Sequence, residues 1–456
     1  MTDEIVDVAG IGFGPANLAL AIAVDEHNRQ VPPGQALRAT FLEKQSRFGW
    51  HRGMLIDDAT MQVSFLKDLV TQRNPASDFS FVSYLHSQGR LSDFINHKTL
   101  FPLRIEFHDY LEWAAARVAD VVRYDAYVHD VVPVRDGAGR VRAFDVRAEG
   151  GTVRTRNVVV ATGLELKLPP EARLSARIWH NLDLLHRVAA FDAPDPRRFV
   201  VVGAGQSAAE AVAYLHRTFP AAEVCSVFLR YGYSPADDSS FANRVFDPEA
   251  VDPYFDAPDD VKRMLFDYHR NTNYSVVDID LIDDLYRRWY AERVTGRTRL
   301  RMLGATRVVD VDERGDLVHV TVEDLTSGSL SVLDADVLVY ATGYQPVPAL
   351  ATLGSAAGLC RLLPDGTPDL ARDYRVRTHQ PTGGSTGGPA DGSTDAGIYL
   401  QGGTEASHGI TSTLLSNVAI RAGEITRSVA AHRNPLEENS VRLADAADAL
   451  DRAVAR

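Results

Sequence analysis

Twice along this chain a short run of β-branched residues turns on glycines into an apolar helical stretch, and that repeat constrains the fold more than any other feature. In the first copy Ile5, Val6 and Val8 precede Gly10, Gly12 and Gly14, followed by Pro15 and an apolar run from Leu18 to Val24. In the second, the wholly apolar run from Phe199 to Val202 precedes Gly203 and Gly205, with Ala208 at the third small position. Glycine admits the tight turn and lets the backbone approach a pyrophosphate, while the helix start offers unpaired N–H groups and partial positive charge. One such motif is weak, since a surface turn before a helix looks alike, and in the first copy Pro15 stands where a third glycine is expected. Two copies in one chain are far more specific. The economical reading is two dinucleotides with hydride passing between them: a flavin dinucleotide held through repeated turnovers, and a nicotinamide substrate.

The segments that follow each copy distinguish the two sites. ATFLEK ends at Glu43, and an acid at the tip of the second strand accepts hydrogen bonds from a ribose hydroxyl; a plain surface charge is the alternative. Its distance from Gly10 exceeds the usual spacing of about twenty residues, and the polar loop from His27 to Leu37 accounts for the excess. AEVCSVFLR ends instead at Arg230, a cation suited to the 2′-phosphate of NADP, although arginines at strand ends are common. Two ATG turns, Ala161 to Gly163 and Ala341 to Gly343, each close a buried strand and read as the exit from the first domain and the return into it.

The expected fold class is therefore α/β: two dinucleotide-binding, Rossmann-like domains, the NADPH domain inserted in the FAD domain, with a small, mostly helical substrate-binding region. The expected bounds are 1–168 for the first part of the FAD domain and 169–345 for the NADPH domain, with the helical segment at about 234–297. Residues 346–456 form the second part of the FAD domain and a helical tail. Within this frame 169–196 reads as a proline-bearing linker and 124–153 as hairpin strands. The glycine- and threonine-rich stretch after Thr378 reads as a loop without chemistry, and Asn439 to Arg456 as an amphipathic helix.

Composition excludes several classes. A length of 456 residues allows two or three domains with substantial cores. The net charge of −13 argues against a nucleic-acid partner, and no apolar run reaches the length of a membrane span. Two cysteines, Cys225 and Cys360, cannot build a disulfide framework or a metal knot, so no metal is expected. With no basic-then-apolar leader, a reducing cytoplasm is the expected location. A disulfide reductase would need a cysteine pair beside the flavin, and these two are far apart in sequence.

Several polar residues stand out. Trp50 and His51 lie in FGWHRGM, and Lys67 lies between Phe65–Leu66 and Asp68, where a salt-bridged lysine is the simplest account. Arg104 opens a helix after Pro102; a positive charge is disfavoured at a helix start, which points to an anionic partner elsewhere. Asn243 falls in the turn-rich stretch SPADDSSFANRVFDPEAVD and Asn273 in NTNYS, which interrupts helical sequence; each reads as a helix cap or as a group facing a polar ligand.

In GFGPANL, MQVSFLKDL, RNPASDFSFVSYL, GAGQSAAE, NTNYSVVD, DVLVYATGY and LQGGTE…HGITSTLLS, the chain resembles the flavin-dependent N-hydroxylating monooxygenases that act on L-ornithine or L-lysine in siderophore assembly. Pro15 is that family's usual residue. The resemblance implies that NADPH reduces FAD, that molecular oxygen adds at flavin C4a as a hydroperoxide, and that the substrate's side-chain amine attacks the distal oxygen. The amine must be neutral although its free pKa is about 10.4, which burial favours. Water must be excluded, and the amino acid's charged end gripped so that only the terminal nitrogen reaches the flavin.

By the same resemblance, Lys67 pairs with the substrate carboxylate, Asn243 and Asn273 hold the amino acid, and Ser416 is a weaker addition. Gln62, Trp50, His51 and Leu415 lie against the flavin. Gln206, Ser207 and Arg230 hold NADPH, with Arg104, Ala341 and Thr342 nearby. No side chain is an evident general base, so positioning by Lys67 and Asn273 is expected to dominate. FANRVF together with NTNYSVVD favours L-ornithine; L-lysine, differing by one methylene worth about 1–3 kcal/mol in a pocket, or another primary amine is the alternative. A homotetramer is the assembly that the resemblance implies.

Overall fold

Strands that are apolar on both faces need cover on both sides, and each of the two glycine-linked strands lies between parallel neighbours inside a sheet. A computed structural model describes residues 5–193, 195–379 and 396–433. The stretch after His379 and the tail from Asn439, read above as a loop and a helix, lie outside the described residues.

The larger sheet is built on Val6–Ile11, which pairs in parallel with Ala39–Leu42 on one side and Gly151–Val160 on the other. Gly151–Val160 changes partners midway. Its first half pairs antiparallel with Val141–Ala148 of the hairpin, and its second half pairs in parallel with Gly397–Leu400. Residues from both ends of the sequence thus share one sheet. Pro15–Gln30 packs against Val418–Ala431 over it, burying Leu18, Leu20, Ile22, Ile425 and Val429 in a common core.

Between these flanks the chain builds separate sheets. Five parallel strands run in the order Leu300–Leu303, Glu223–Val227, Arg198–Val202, Val337–Tyr340, Ile178–His180. The antiparallel trio Thr306–Arg314, Leu317–Asp324 and Leu330–Ala335 packs nearby. The two connecting segments, Leu164–Leu166 and Tyr344–Pro346, pair with each other antiparallel, so the exit from the first sheet and the return to it lie side by side.

Three local expectations are corrected. The stretch read as a linker supplies Ile178–His180, the edge strand of the five-stranded sheet; three residues are too few for any periodicity to show. Pro15–Gln30 runs past His27, where a loop was expected, because polar residues continue its solvent face. The strand expected to end at Arg230 ends at Val227, leaving Arg230 exposed in the following loop.

Candidate active site

Each glycine turn is shaped by the ATG turn on the neighbouring parallel strand. Gly12 has φ +84°, and a Cβ there would fall 2.5 Å from the Ala161 carbonyl oxygen. Gly203 repeats the arrangement at φ +151°, 2.2 Å from the Ala341 carbonyl oxygen. On the other side the first turn is open, with nothing within 4 Å of a Cβ on Gly14. Both following helices begin without a side-chain cap and without an acidic residue in the first turn. Two uncapped helix starts, the first beside open space at Gly14, fit the diphosphates of two dinucleotides.

Glu43 is buried at the end of its strand. One carboxylate oxygen accepts the Phe13 amide at 2.7 Å and the other the Gln45 amide at 2.9 Å, so Glu43 also braces the glycine turn. Two braces escaped the sequence reading. The Asn17 carboxamide donates to the Gly12 carbonyl at 2.7 Å, and Gln401 donates to the Asn17 side chain at 2.9 Å. Asn17 lies in GFGPANL and Gln401 in LQGGTE, so both motifs were visible, but nothing in either showed that the two side chains pair.

Lys67 is half-buried. The simple account paired it with a neighbouring acid, but Asp68 spends its carboxylate on the amides of Val70, Thr71 and Phe81 at 2.6–2.9 Å and on the Thr71 hydroxyl. The Lys67 ammonium instead stands 5.5 Å from the centroid of the Phe246 ring. Burial lowers its pKa, and Asp247 acts in the opposite sense. Phe246 closes the turn Ala242–Phe246 that carries Asn243, so Lys67 and that turn are brought together.

The Asn243 amide group donates to the Asp238 carbonyl at 2.6 Å, and the Asp237 amide donates to the Asn271 carbonyl at 3.3 Å, tying NTNYS to the same loop. Asn273 is exposed, after a short turn that breaks the expected helix, and Ser275 beyond it has φ +57°. Ala242–Phe246 also packs on Ile410–Thr413, just ahead of Leu415 and the buried Ser416.

The residues expected at the nicotinamide nucleotide are largely engaged within the protein. Arg230 donates to the Ser275 carbonyl at 2.9 Å and the Ser234 hydroxyl at 3.2 Å. Gln206 accepts the Asp278 amide at 2.8 Å and donates to Glu210 at 2.9 Å. The anionic partner expected for Arg104 is Glu210, reached at 2.6 and 2.8 Å. The Thr342 hydroxyl donates to the Lys167 carbonyl, Ala341 is buried, and Ser207 is half-buried at the helix start.

His51 packs edge-on against Trp50 at 4.5 Å and lies 6.2 Å from the Tyr344 ring. Burial first, then the charge of Arg104, pulls its pKa down to about 4, so it is neutral at ordinary pH. Gln62 is exposed nearby in sequence. Tyr344 accepts a hydrogen bond from Asn181 at 3.1 Å, and burial pushes its phenol up to about 12. Neither was given a role from the sequence: Tyr344 closes the DVLVYATGY motif and Asn181 lies in the stretch read as a linker, and nothing in either run shows that the two meet.

Both cysteines are buried and unpaired, with burial pushing the Cys225 thiol up to about 12 and Cys360 up to about 11. Neither has the depressed pKa of a redox-active thiol. Among the described residues no helix is long and apolar enough to cross a membrane.

Two glycine-turn units, each on a strand with parallel neighbours in its own sheet, define the class of two-dinucleotide oxidoreductases. The family model described as L-lysine 6-monooxygenase/L-ornithine 5-monooxygenase matches residues 4–346, and the chain belongs to that family of monooxygenases. The L-ornithine N(5)-monooxygenase of Pseudomonas aeruginosa is 37% identical over 445 residues, covering 95% of this chain and 96% of that one. The structure of the Kutzneria sp. 744 ornithine N-hydroxylase, described with FADred, NADP+ and L-orn, is 44% identical with a TM-score of 0.86, covering 93% of this chain and 99% of that one. The L-lysine 6-monooxygenase of Pseudomonas syringae is similar too, at 33% identity and TM-score 0.81, covering 94% of this chain and 100% of that one.

Proposed function

We propose that this protein is an FAD- and NADPH-dependent monooxygenase that hydroxylates the N5 amine of L-ornithine, using molecular oxygen as co-substrate. The product would be a hydroxylamine precursor of siderophore-type hydroxamates. The observation that carries the reading is the meeting of Lys67 with the turn that bears Asn243, beside the loop that leads to Leu415 and Ser416. Among the described residues Lys67 makes no salt bridge, although it feels the charge of Asp247, and such a lysine suits the α-carboxylate of an amino acid, while the neighbouring amides suit its ammonium and terminal amine.

Bound FAD supplies the oxygen-activating chemistry, seated at the Gly12–Gly14 turn, with Trp50, His51 and Gln62 on the same connecting segment. Bound NADPH would supply hydride and would be held at the Gly203–Gly205 turn, with Arg230 as the residue to meet its 2′-phosphate. The protein's own part would be positioning, by Lys67 and Asn273, with His51 held neutral. Ornithine is favoured over lysine by the ornithine-named relatives and by the higher identity of the ornithine hydroxylase structure.

The test is NADPH oxidation by the purified flavoprotein with no amino acid, with ornithine and with lysine, scoring hydroxylamine against hydrogen peroxide. Tight coupling with ornithine alone supports the proposal. Coupling with lysine alone transfers it to the second reading, and peroxide under every condition removes both.

A further inference from the structure

One carboxylate ties together three parts of this molecule that the sequence keeps far apart. Glu210 is 5% exposed, on the helix Gln206–Thr218 that follows the second glycine turn. It receives both terminal nitrogens of Arg104, which opens the helix Arg104–Ala116 of the first unit and also donates to the Met54 carbonyl at 3.1 Å. The same carboxylate accepts the Gln206 amide group at 2.9 Å, one helical turn back. Gln206 in turn accepts the backbone amide of Asp278, which caps Ile279–Thr295 and lies five residues beyond Asn273. A Cβ on Gly205 would stand 3.5 Å from Ser275 Cα, so the glycine turn itself rests against this segment.

A carboxamide's oxygen and nitrogen are nearly the same size, and its neighbours decide which way it faces. An ionised carboxylate can only accept, so Glu210 turns the nitrogen of Gln206 toward itself and leaves the oxygen for the Asp278 amide. Without that charge the carboxamide loses its fixed sense, and Arg104 is left buried beside no counter-charge.

We infer that Glu210 is a positioning residue that sets the register of the substrate segment Asn271–Asp278 against the NADPH-binding glycine turn, acting through Gln206 and anchored by Arg104. The inference rests on the proposed nucleotide and substrate sites. Its signature is a loss at both sites from a side chain whose hydrogen bonds, among the described residues, go to Arg104 and Gln206.

The experiment compares wild-type, Glu210→Gln, Glu210→Ala and Gln206→Ala proteins, purified with their flavin, by hydrogen–deuterium exchange and steady-state kinetics. Exchange at the Asp278 amide should quicken at least tenfold in Glu210→Ala and Gln206→Ala, while the Val200 and Val201 amides in the central strand stay protected. Glu210→Gln, which keeps an acceptor, should lie between. The KM values for NADPH and for ornithine should rise together, by about tenfold in Glu210→Ala, with a smaller change in kcat. Unchanged exchange at Asp278 in Glu210→Ala overturns the inference, as does a rise in only one of the two KM values. If Glu210→Ala loses protection at Val200 and Val201 as well, the decision passes to Glu210→Gln and Gln206→Ala. The exchange arm decides the positioning role even if ornithine proves not to be the substrate.

Discussion

The Lys67 ammonium faces the Phe246 ring at 5.5 Å, across the gap between the segment that follows the first glycine unit and the turn that carries Asn243. An aromatic face attracts a cation without neutralising it, so the charge stays available to an anion. Asp68, the acid next to it in sequence, is committed to backbone amides. If Lys67 takes the ornithine carboxylate, Lys67→Ala removes a charge-assisted contact worth about 2 kcal/mol, or roughly thirtyfold in KM. Flavin reduction by NADPH should continue. Steady-state kinetics with varied ornithine check this, and an unchanged KM refutes the carboxylate role.

Arg230 lies beyond the second strand of the NADPH unit, exposed, with its guanidinium on the Ser275 carbonyl. A 2′-phosphate at that position would gain a partner that NADH lacks. Arg230→Ala should therefore weaken NADPH by about ten- to hundredfold and NADH much less. Equal losses for the two nucleotides, measured as kcat/KM for flavin reduction, would remove the phosphate assignment.

Gly12 and Gly14 are two residues apart and should fail in different ways. At Gly12 a side chain meets the Ala161 carbonyl on a backbone with φ +84°, so Gly12→Ala should destabilise the fold by about 3 kcal/mol. At Gly14 the backbone is extended and the space open, so Gly14→Ala should fold normally and bind FAD more weakly. Thermal unfolding of the flavin-free proteins, beside FAD titration, separates the two. A Gly14→Ala protein with wild-type FAD affinity would show that the open side is not the pyrophosphate seat.

His408 should make the protein acid-sensitive. Its Nε2–H donates to the Arg372 carbonyl at 3.1 Å, its Nδ1 accepts from the Ser407 hydroxyl at 2.8 Å, and its ring stacks on Tyr374 at 4.1 Å. Burial, the largest cause, pulls its pKa from the ordinary 6.5 down to about 4. The unfolded chain therefore takes up the proton first as pH falls. The stability involved is fully present above about pH 6.5 and is lost on descending toward pH 4, amounting to about 2 kcal/mol by pH 5. Urea unfolding at pH 7.5 and pH 5 should show that loss in the wild type and a smaller one in His408→Gln. Equal losses would place the acid sensitivity elsewhere.

Local sequence by itself determined the two strand–glycine–helix units, the paired ATG turns and hence the fold class, because each is a contiguous run whose backbone demands follow from its own residues. It also marked Lys67, Asn243, Asn273 and Arg230 as residues with chemistry to explain. Only the tertiary structure decided what they meet. That Asp68 ignores Lys67, that Arg104 finds its anion in Glu210, 106 positions away, and that Gln401 braces Asn17 all depend on segments distant in sequence. The edge strand Ile178–His180 was hidden for a related reason. Three residues become a strand only when Val337–Tyr340 offers them a hydrogen-bonding edge, and no short stretch of sequence contains its own partner.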